Sequence, residues 1–420
     1  MAGLLSSWIA RVVVILIFSL SSPSTVAAVE VLGTKYPDFR CETNAPPQNV
    51  LGFNSTSVRV GNRPWGLVYL NDFFAFAAIN FSIGVLDTTN FEPRLLNMIP
   101  FPMDLQMGNL DINSDGYGYR ELALSHDKKT LYVATGYGAV VLDVARALIG
   151  RNDSVIGVLS SGGYAGHSAV ELSVTPDDNF VFISQEFGSN NSYGRGAVEV
   201  FKVTRGSATI SSIWRGFIAL GFALVGQQFS NDNTKLFITS ELNTTTGTVN
   251  NTAGVISVLD VATLKVTPGT ALITKLNNGC RPVRCDVSSD GTQLWVTERD
   301  ANVLAIYDAE ELALGNNNTD QVLLGSITTG TSPIGIAGVG RYVFTADSNR
   351  FDYDNATTGV TVVNAITMEQ LGQIPTSDFP RSLAISPSGN RLMVSEFGAG
   401  TIRVIDVTAL NVGPVPPTIK

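Results

Sequence analysis

The chain has 420 residues, with 36 acids against 27 bases and a formal charge of −9. Only 15% of residues are charged and the bases form no stripe or cluster, which argues against a nucleic-acid partner. An apolar content of 44% with 40 glycines suits a turn-rich β protein with a large core.

In chain order, Arg11 precedes an apolar run from Val12 to Leu20, and small residues follow as far as Ala27-Ala28. This pattern predicts a signal peptide over residues 1–28, too short for a comfortable membrane span. No later segment is long enough for a stable anchor. Removing Arg11 takes the formal charge from −9 to −10. Eight N-x-S/T sequons begin at Asn54, Asn80, Asn152, Asn190, Asn243, Asn250, Asn317 and Asn355. They point to an N-glycosylated surface and a secreted or secretory-pathway lumenal protein. Three cysteines leave one thiol over. Cys280 and Cys285 flank Arg-Pro-Val-Arg, and the expectation is that they close a small disulfide loop. Cys41 is then free, or takes one of the other two.

The stretch from Pro380 to Thr408 contains three apolar runs separated by Ser386-Pro387-Ser388-Gly389-Asn390 and by Phe397-Gly398-Ala399-Gly400. Short apolar runs between turn residues read as strands, here a, b and c of a meander. Strand c ends recognisably at Asp87, Asp143, Lys202, Asp260, Asp308, Asn364 and Asp406, which gives seven units spaced 42 to 59 residues apart. A lone meander cannot bury both faces, so the units must stack around an axis. The predicted fold is all-β: a seven-bladed β-propeller of four-stranded antiparallel blades. Residues 29–61 form an N-terminal arm whose stretch Asn49 to Val60 supplies a ring-closing strand, residues 62–408 form the propeller, and residues 409–420 form a tail. Outer strands are expected near Arg94 to Met98 and Ala271 to Lys275.

The units SPSGNRLMVSEFGAGTIRVIDV and SSDGTQLWVTERDANVLAIYDA resemble the YVTN-type repeat of lactonase-like propellers, and the likeness covers residues 62 to 408. Within that superfamily, the overall organisation of signal, sequons and blades is similar to fungal hetero-Diels–Alderases of tropolone sesquiterpenoid pathways. That resemblance implies a cofactor-free enzyme of fungal secondary metabolism acting on small hydrophobic substrates. It dehydrates a hydroxymethyl tropolone to a quinone methide and adds this to a humulene-type alkene. A lactone hydrolase and a non-catalytic extracellular scaffold are the alternatives.

In such a fold strand a lines the central channel, so its start and the loop after strand b share one rim. That rim receives Arg63, Trp65, Tyr119, Arg120, His167, Arg284 and Arg381 from the one side, and Glu186, Phe187, Glu241, Glu298, Asp347, Glu396 and Phe397 from the other. Glu241 lies eleven residues after its turn serine, whereas Glu298 and Glu396 lie ten after theirs, so these acids need not form one ring. Glu121 and Arg284 stand where other blades have Gly66, Gly335 and Ser382, and charges in a small-residue position suggest a site. His167, Glu121 and Arg284 are the catalytic candidates, with His167 or Glu121 handling the proton. Trp65, Tyr119, Phe187 and Phe397 are the expected walls of an apolar cup. Arg120, Arg284 and Arg381 would bind acidic substrate oxygens, with Arg63 and Glu298 alongside. His126, in an a–b turn on the opposite rim, is expected to be solvated. Two histidines on opposite rims make no His-rich metal or haem site. Asp111 to Gly116 matches the first half of a calcium loop, but its closing glutamate is out of place, and the segment reads as a polar turn. No metal and no cofactor is expected.

Overall fold

A computed structural model describes residues 41–410 except 42, 48, 62, 102–117, 244–252, 278, 352–355 and 357. The expected signal peptide, the Asp111–Gly116 turn, Asn250, Asn355 and most of the tail lie outside the described residues. The described strands form seven four-stranded antiparallel sheets. Six take their strands in chain order, from Pro64–Tyr69, Phe74–Ile79, Ser82–Asp87 and Arg94–Pro100 in blade one to Pro333–Val339, Tyr342–Asp347, Gly359–Asn364 and Glu369–Pro375 in blade six. The seventh is composite: Pro380–Ile385, Arg391–Glu396 and Thr401–Asp406 are completed by Ser55–Arg59. Strand a of each blade touches strand a of the next, and that of blade seven touches blade one. The chain is a seven-bladed β-propeller. The outer strand of blade four is Leu272–Leu276, one residue beyond the expected Ala271 to Lys275.

Two repeated devices hold the blades in place. At the a–b turns a Ser or Thr hydroxyl donates to the carboxylate two residues on, as Ser125 does to Asp127 at 2.7 Å and Ser288 to Asp290 at 2.6 Å. In strand b, Thr239, Thr297 and Ser395 occupy one repeat position. Each donates its hydroxyl to a strand-a carbonyl of the next blade: Val283 at 2.7 Å, Ile334 at 2.9 Å and Trp65 at 2.6 Å. His126 belongs to this scaffold. The Asp178 carboxylate of the neighbouring turn accepts from its backbone N–H at 2.7 Å and faces its Nδ1 at 3.2 Å, so the histidine is pinned between blades instead of merely solvated.

The expected Cys280–Cys285 loop does not form. Cys41 is bonded to Cys280, and Cys285 is a buried thiol. Cys285 lies within strand Pro282–Val287, where the pleat turns it into the apolar seam with Phe237 and Tyr307. Cys280 lies outside that strand, beside the N-terminal arm. The arm is laced along blades five and six, with Asn44 N–H donating to Ala301 at 3.1 Å and Leu51 N–H to Gln373 at 2.8 Å.

Candidate functional site

The mouth of the channel is built by one irregularity repeated around the ring. In six blades the a–b register slips at the start of strand a, leaving two residues opposite one. In blade two, Arg120 and Glu121 bracket Ala134 in the same way. Two residues before the bulge stands a left-handed residue in every blade: Arg63, Gly118, Ser168, Ala223, Arg281, Ser332 and Phe379. Six of the seven have a Cβ, so this turn costs backbone strain and is held by its surroundings.

The first bulge residues are Trp65, Arg120, Val170, Val225, Val283, Ile334 and Arg381. The five apolar ones belong to a single contiguous cluster although they come from five blades, and they plug the axis. The second bulge residues are Gly66, Glu121, Glu171, Gly226, Arg284, Gly335 and Ser382, one step deeper. A Cβ on Gly66 would lie 2.5 Å from the Arg120 carbonyl, and one on Gly335 2.4 Å from that of Arg381. Glycine is required there by the close approach of neighbouring strands. In this layer Arg284 lies between two acids, with Nε 3.2 Å from Glu171 and Nη2 3.7 Å from Glu121. The cavity they share with Ser173, Gln227 and Gln228 has room for about two water molecules. No sesquiterpene-sized reactant fits there. Two of the three catalytic candidates, Glu121 and Arg284, are therefore joined in this small cavity, which Arg381 also lines. The third, His167, is half-buried on the rim with its ring 5.5 Å from Phe187, which packs in turn on Phe222 at 5.4 Å.

Around Trp65, which is itself buried, arginines are stacked on aromatic rings. The Arg381 guanidinium sits 3.3 Å from the Trp65 ring centroid, and Arg120 sits 4.9 Å from the same ring. Phe397 meets Trp65 edge-on at 5.7 Å and packs on Phe379 at 5.1 Å. Arg120 is buried and paired with Glu186 at 2.7 Å, which also accepts from Ser168 at 3.1 Å. Burial pushes the Glu186 carboxyl up, but Arg120, its hydrogen bond and Arg350 outweigh this and hold it below its usual range. Arg381 forms no ion pair among the described residues. Burial first, then the cations of Arg350, Arg284 and Arg120, push its pKa well down. On the blade-four and blade-five side Arg299 pairs with both oxygens of Glu241, at 2.9 and 2.8 Å, and lies 5.3 Å from Phe351.

The remaining expected residues are placed elsewhere. Tyr119 is buried in the seam with Phe101, at 5.9 Å, so it packs blades together and forms no cup wall. Glu298 is turned into its own blade, accepting from the Tyr307 hydroxyl at 2.8 Å and the Cys280 N–H at 3.0 Å. Arg63 is exposed. Glu171 escaped the sequence reading, yet a signal for it exists. Counting four residues back from the a–b turn Ser or Thr gives Glu121, Glu171, Gly226, Arg284 and Ser382 alike.

No protein-family model matches the chain, and no curated protein matches it. Solved structures do. The Kuenenia stuttgartiensis hydrazine synthase aligns with a TM-score of 0.59 at 12% identity, over 86% of this chain and 99% of that one. The Cps50 (Swd1) β-propeller domain of Myceliophteria thermophila aligns at 0.57 and 10% identity, over 84% and 100%. A chain of the mitotic checkpoint complex aligns at 0.60 and 13%, over 89% and 99%. At such identities the likeness is one of fold, and the three proteins have unrelated roles.

Proposed function

We propose that the mouth of this propeller binds a planar organic anion and holds it for a stereoselective [4+2] addition. The observation that carries the proposal is Arg381, a cation stacked 3.3 Å over Trp65 with no acid of its own among the described residues. A desolvated positive charge against an aromatic wall favours a flat, negatively charged guest. The chemistry is taken from the sequence resemblance: a hydroxymethyl tropolone loses water to give a quinone methide. Its oxygen and exocyclic carbon then form one C–O and one C–C bond to a humulene-type alkene, with no further atom lost. In this scheme Arg381 and Arg120 hold the acidic oxygens, Trp65 and Phe397 align the ring, and His167 is the titratable rim group for the proton of water loss. Alignment of two bound reactants supplies several kcal/mol of such a barrier. The protein is secreted and N-glycosylated in this reading. The Cys41–Cys280 disulfide and the exposed Asn54, Asn152, Asn190 and Asn317 support that localisation.

The test is a metal-free assay of the secreted protein with a hydroxymethyl tropolone and a humulene-type alcohol, read by mass and chirality. One enantiomer above the buffer background, reduced at least roughly tenfold in Arg381→Gln, is expected from the loss of one charged hydrogen bond. A racemic product at the buffer rate would sink the cyclase. Activity surviving both Arg381→Gln and His167→Ala would keep the reaction and discard this site.

A further inference from the structure

Blade three carries an aromatic patch on its outer strand, Ile210–Ala219. Tyr164, from the loop before strand Gly166–Val174, meets Trp214 edge-on at 5.3 Å and Phe217 at 6.1 Å. Trp214 in turn stacks on Phe217 with 18° between their planes. Despite these contacts Tyr164 remains 49% exposed, and Trp214 and Phe217 are only partly buried. The patch is fixed in place. The Trp214 Nε1–H donates to the buried Glu199 at 3.1 Å, and the Gln185 amide donates to the same carboxyl at 2.6 Å. Contiguous exposed aromatic surface held this firmly marks a contact site.

Beside the patch lies a sequon. The Ser189 hydroxyl and the Asn191 amide both donate to the Tyr164 carbonyl, at 2.6 and 2.9 Å. Asn190, exposed between them, opens the sequon Asn190-Asn191-Ser192. The loop is a closed turn: the Gly194 N–H donates to the Ser189 carbonyl at 2.9 Å, and the Tyr193 N–H to that of Asn190 at 3.2 Å. Asn190 is thus held next to Tyr164. The sequon at Asn152 has a different setting, since Asp153 within it pairs with Arg151 at 2.6 Å.

We infer that the aromatic patch of blade three is covered by the protein's own N-glycan, carried on Asn190, with its first sugars against Tyr164 and Trp214. This rests on the secretory reading of the chain. The Asn190 amide nitrogen forms its bond to C1 of a lipid-linked oligosaccharide; the C1–O bond to the diphosphate breaks, and the amide gives up one proton. The C–H groups on one face of a pyranose suit the negative face of an aromatic ring, while its hydroxyls stay in water. A tethered sugar meets the patch at high effective concentration, so weak contacts suffice.

The test uses the full chain, with its own signal segment, secreted from a eukaryotic host. Glycopeptide masses should show Asn190 and Asn152 both occupied. In urea unfolding, Asn190→Gln should raise the unfolding equilibrium constant about fivefold, and Asn152→Gln less than about twofold. Tyr164→Ala removes the ring but keeps the carbonyl that anchors the loop. In that background Asn190→Gln should change the constant less than about twofold. Equal effects of Asn190→Gln with and without the Tyr164 ring would overturn the inference, because the glycan would then stabilise without the patch. Absence of any effect in the parent would overturn it too. So would a bare Asn190 beside an occupied Asn152, which leaves the secretory reading standing. If no sequon carries sugar, both readings fall.

Discussion

Glu298, Asp347 and Glu396 stand at the last position of strand b that pairs with strand c in blades five, six and seven, whereas Glu186 and Glu241 stand one residue beyond it in blades three and four. One residue reverses the face of the pleat. The first set is turned into the blade. Glu396 is fully buried and accepts from Arg403 at 2.6 Å, Thr401 at 2.5 Å and the Ser377 N–H at 2.8 Å. Asp347 accepts from Thr361, Gln373 and Thr345 at 2.6, 2.7 and 2.9 Å. The second set is turned to the mouth and meets arginines of neighbouring blades. Acids that look alike in the sequence are thus divided between blade interior and mouth.

The comparison can be broken most sharply at Glu396. Arg403→Ala leaves a buried carboxylate without its cation and should cost about 3–5 kcal/mol in urea unfolding. A loss under about 1 kcal/mol would show that the interior acids carry no such weight. Cys280→Ser frees the arm from blade five and should cost about 2–4 kcal/mol, since the bond closes a long loop. Cys285→Ser, at the thiol that takes no part in it, should cost less. The next effect is one of pH. Burial lifts Asp347 to about 6 and Glu199 to about 7. Unfolded carboxyls titrate near 4, so between those values the native state binds the extra protons. Their contribution is complete below about pH 4 and is lost as pH rises through 6 to 7. The unfolding free energy from urea titration should therefore be greater at about pH 5 than at about pH 8, by on the order of 1–3 kcal/mol. Asp347→Asn should flatten part of that slope; an unchanged slope would mean that this carboxyl is ionised in the folded protein. The smallest effect is expected at the mouth. Arg381→Gln relieves repulsion among cations and should leave stability within about 0.5 kcal/mol or raise it. A loss of several kcal/mol would make Arg381 a structural residue.

Much of the ring was legible. Seven strand-c endings and the Ser/Thr-x-Asp turns repeat at fixed offsets because each blade solves the same pairing problem, and the unequal spacing of Glu241 and Glu298 already announced the slip of register. The left-handed residues before the bulges were not legible, since only Gly118 among the seven is the residue type that advertises positive φ. Arg350 and Phe351 lie in an irregular loop outside the repeat, so no counting rule reaches them. The Cys41–Cys280 bond joins residues 239 positions apart, and nearness in sequence pointed instead to Cys285.

The sequence alone determined the number of blades, their strands and the layer in which Glu121 and Arg284 replace glycine, because periodicity and turn chemistry are local properties. The tertiary structure decided which charges meet. It set Glu171 beside Arg284, put Arg381 over Trp65 and turned Glu298 away from the mouth. Those outcomes depend on how seven near-identical meanders converge on one axis, where a single-residue bulge fixes the direction of every side chain.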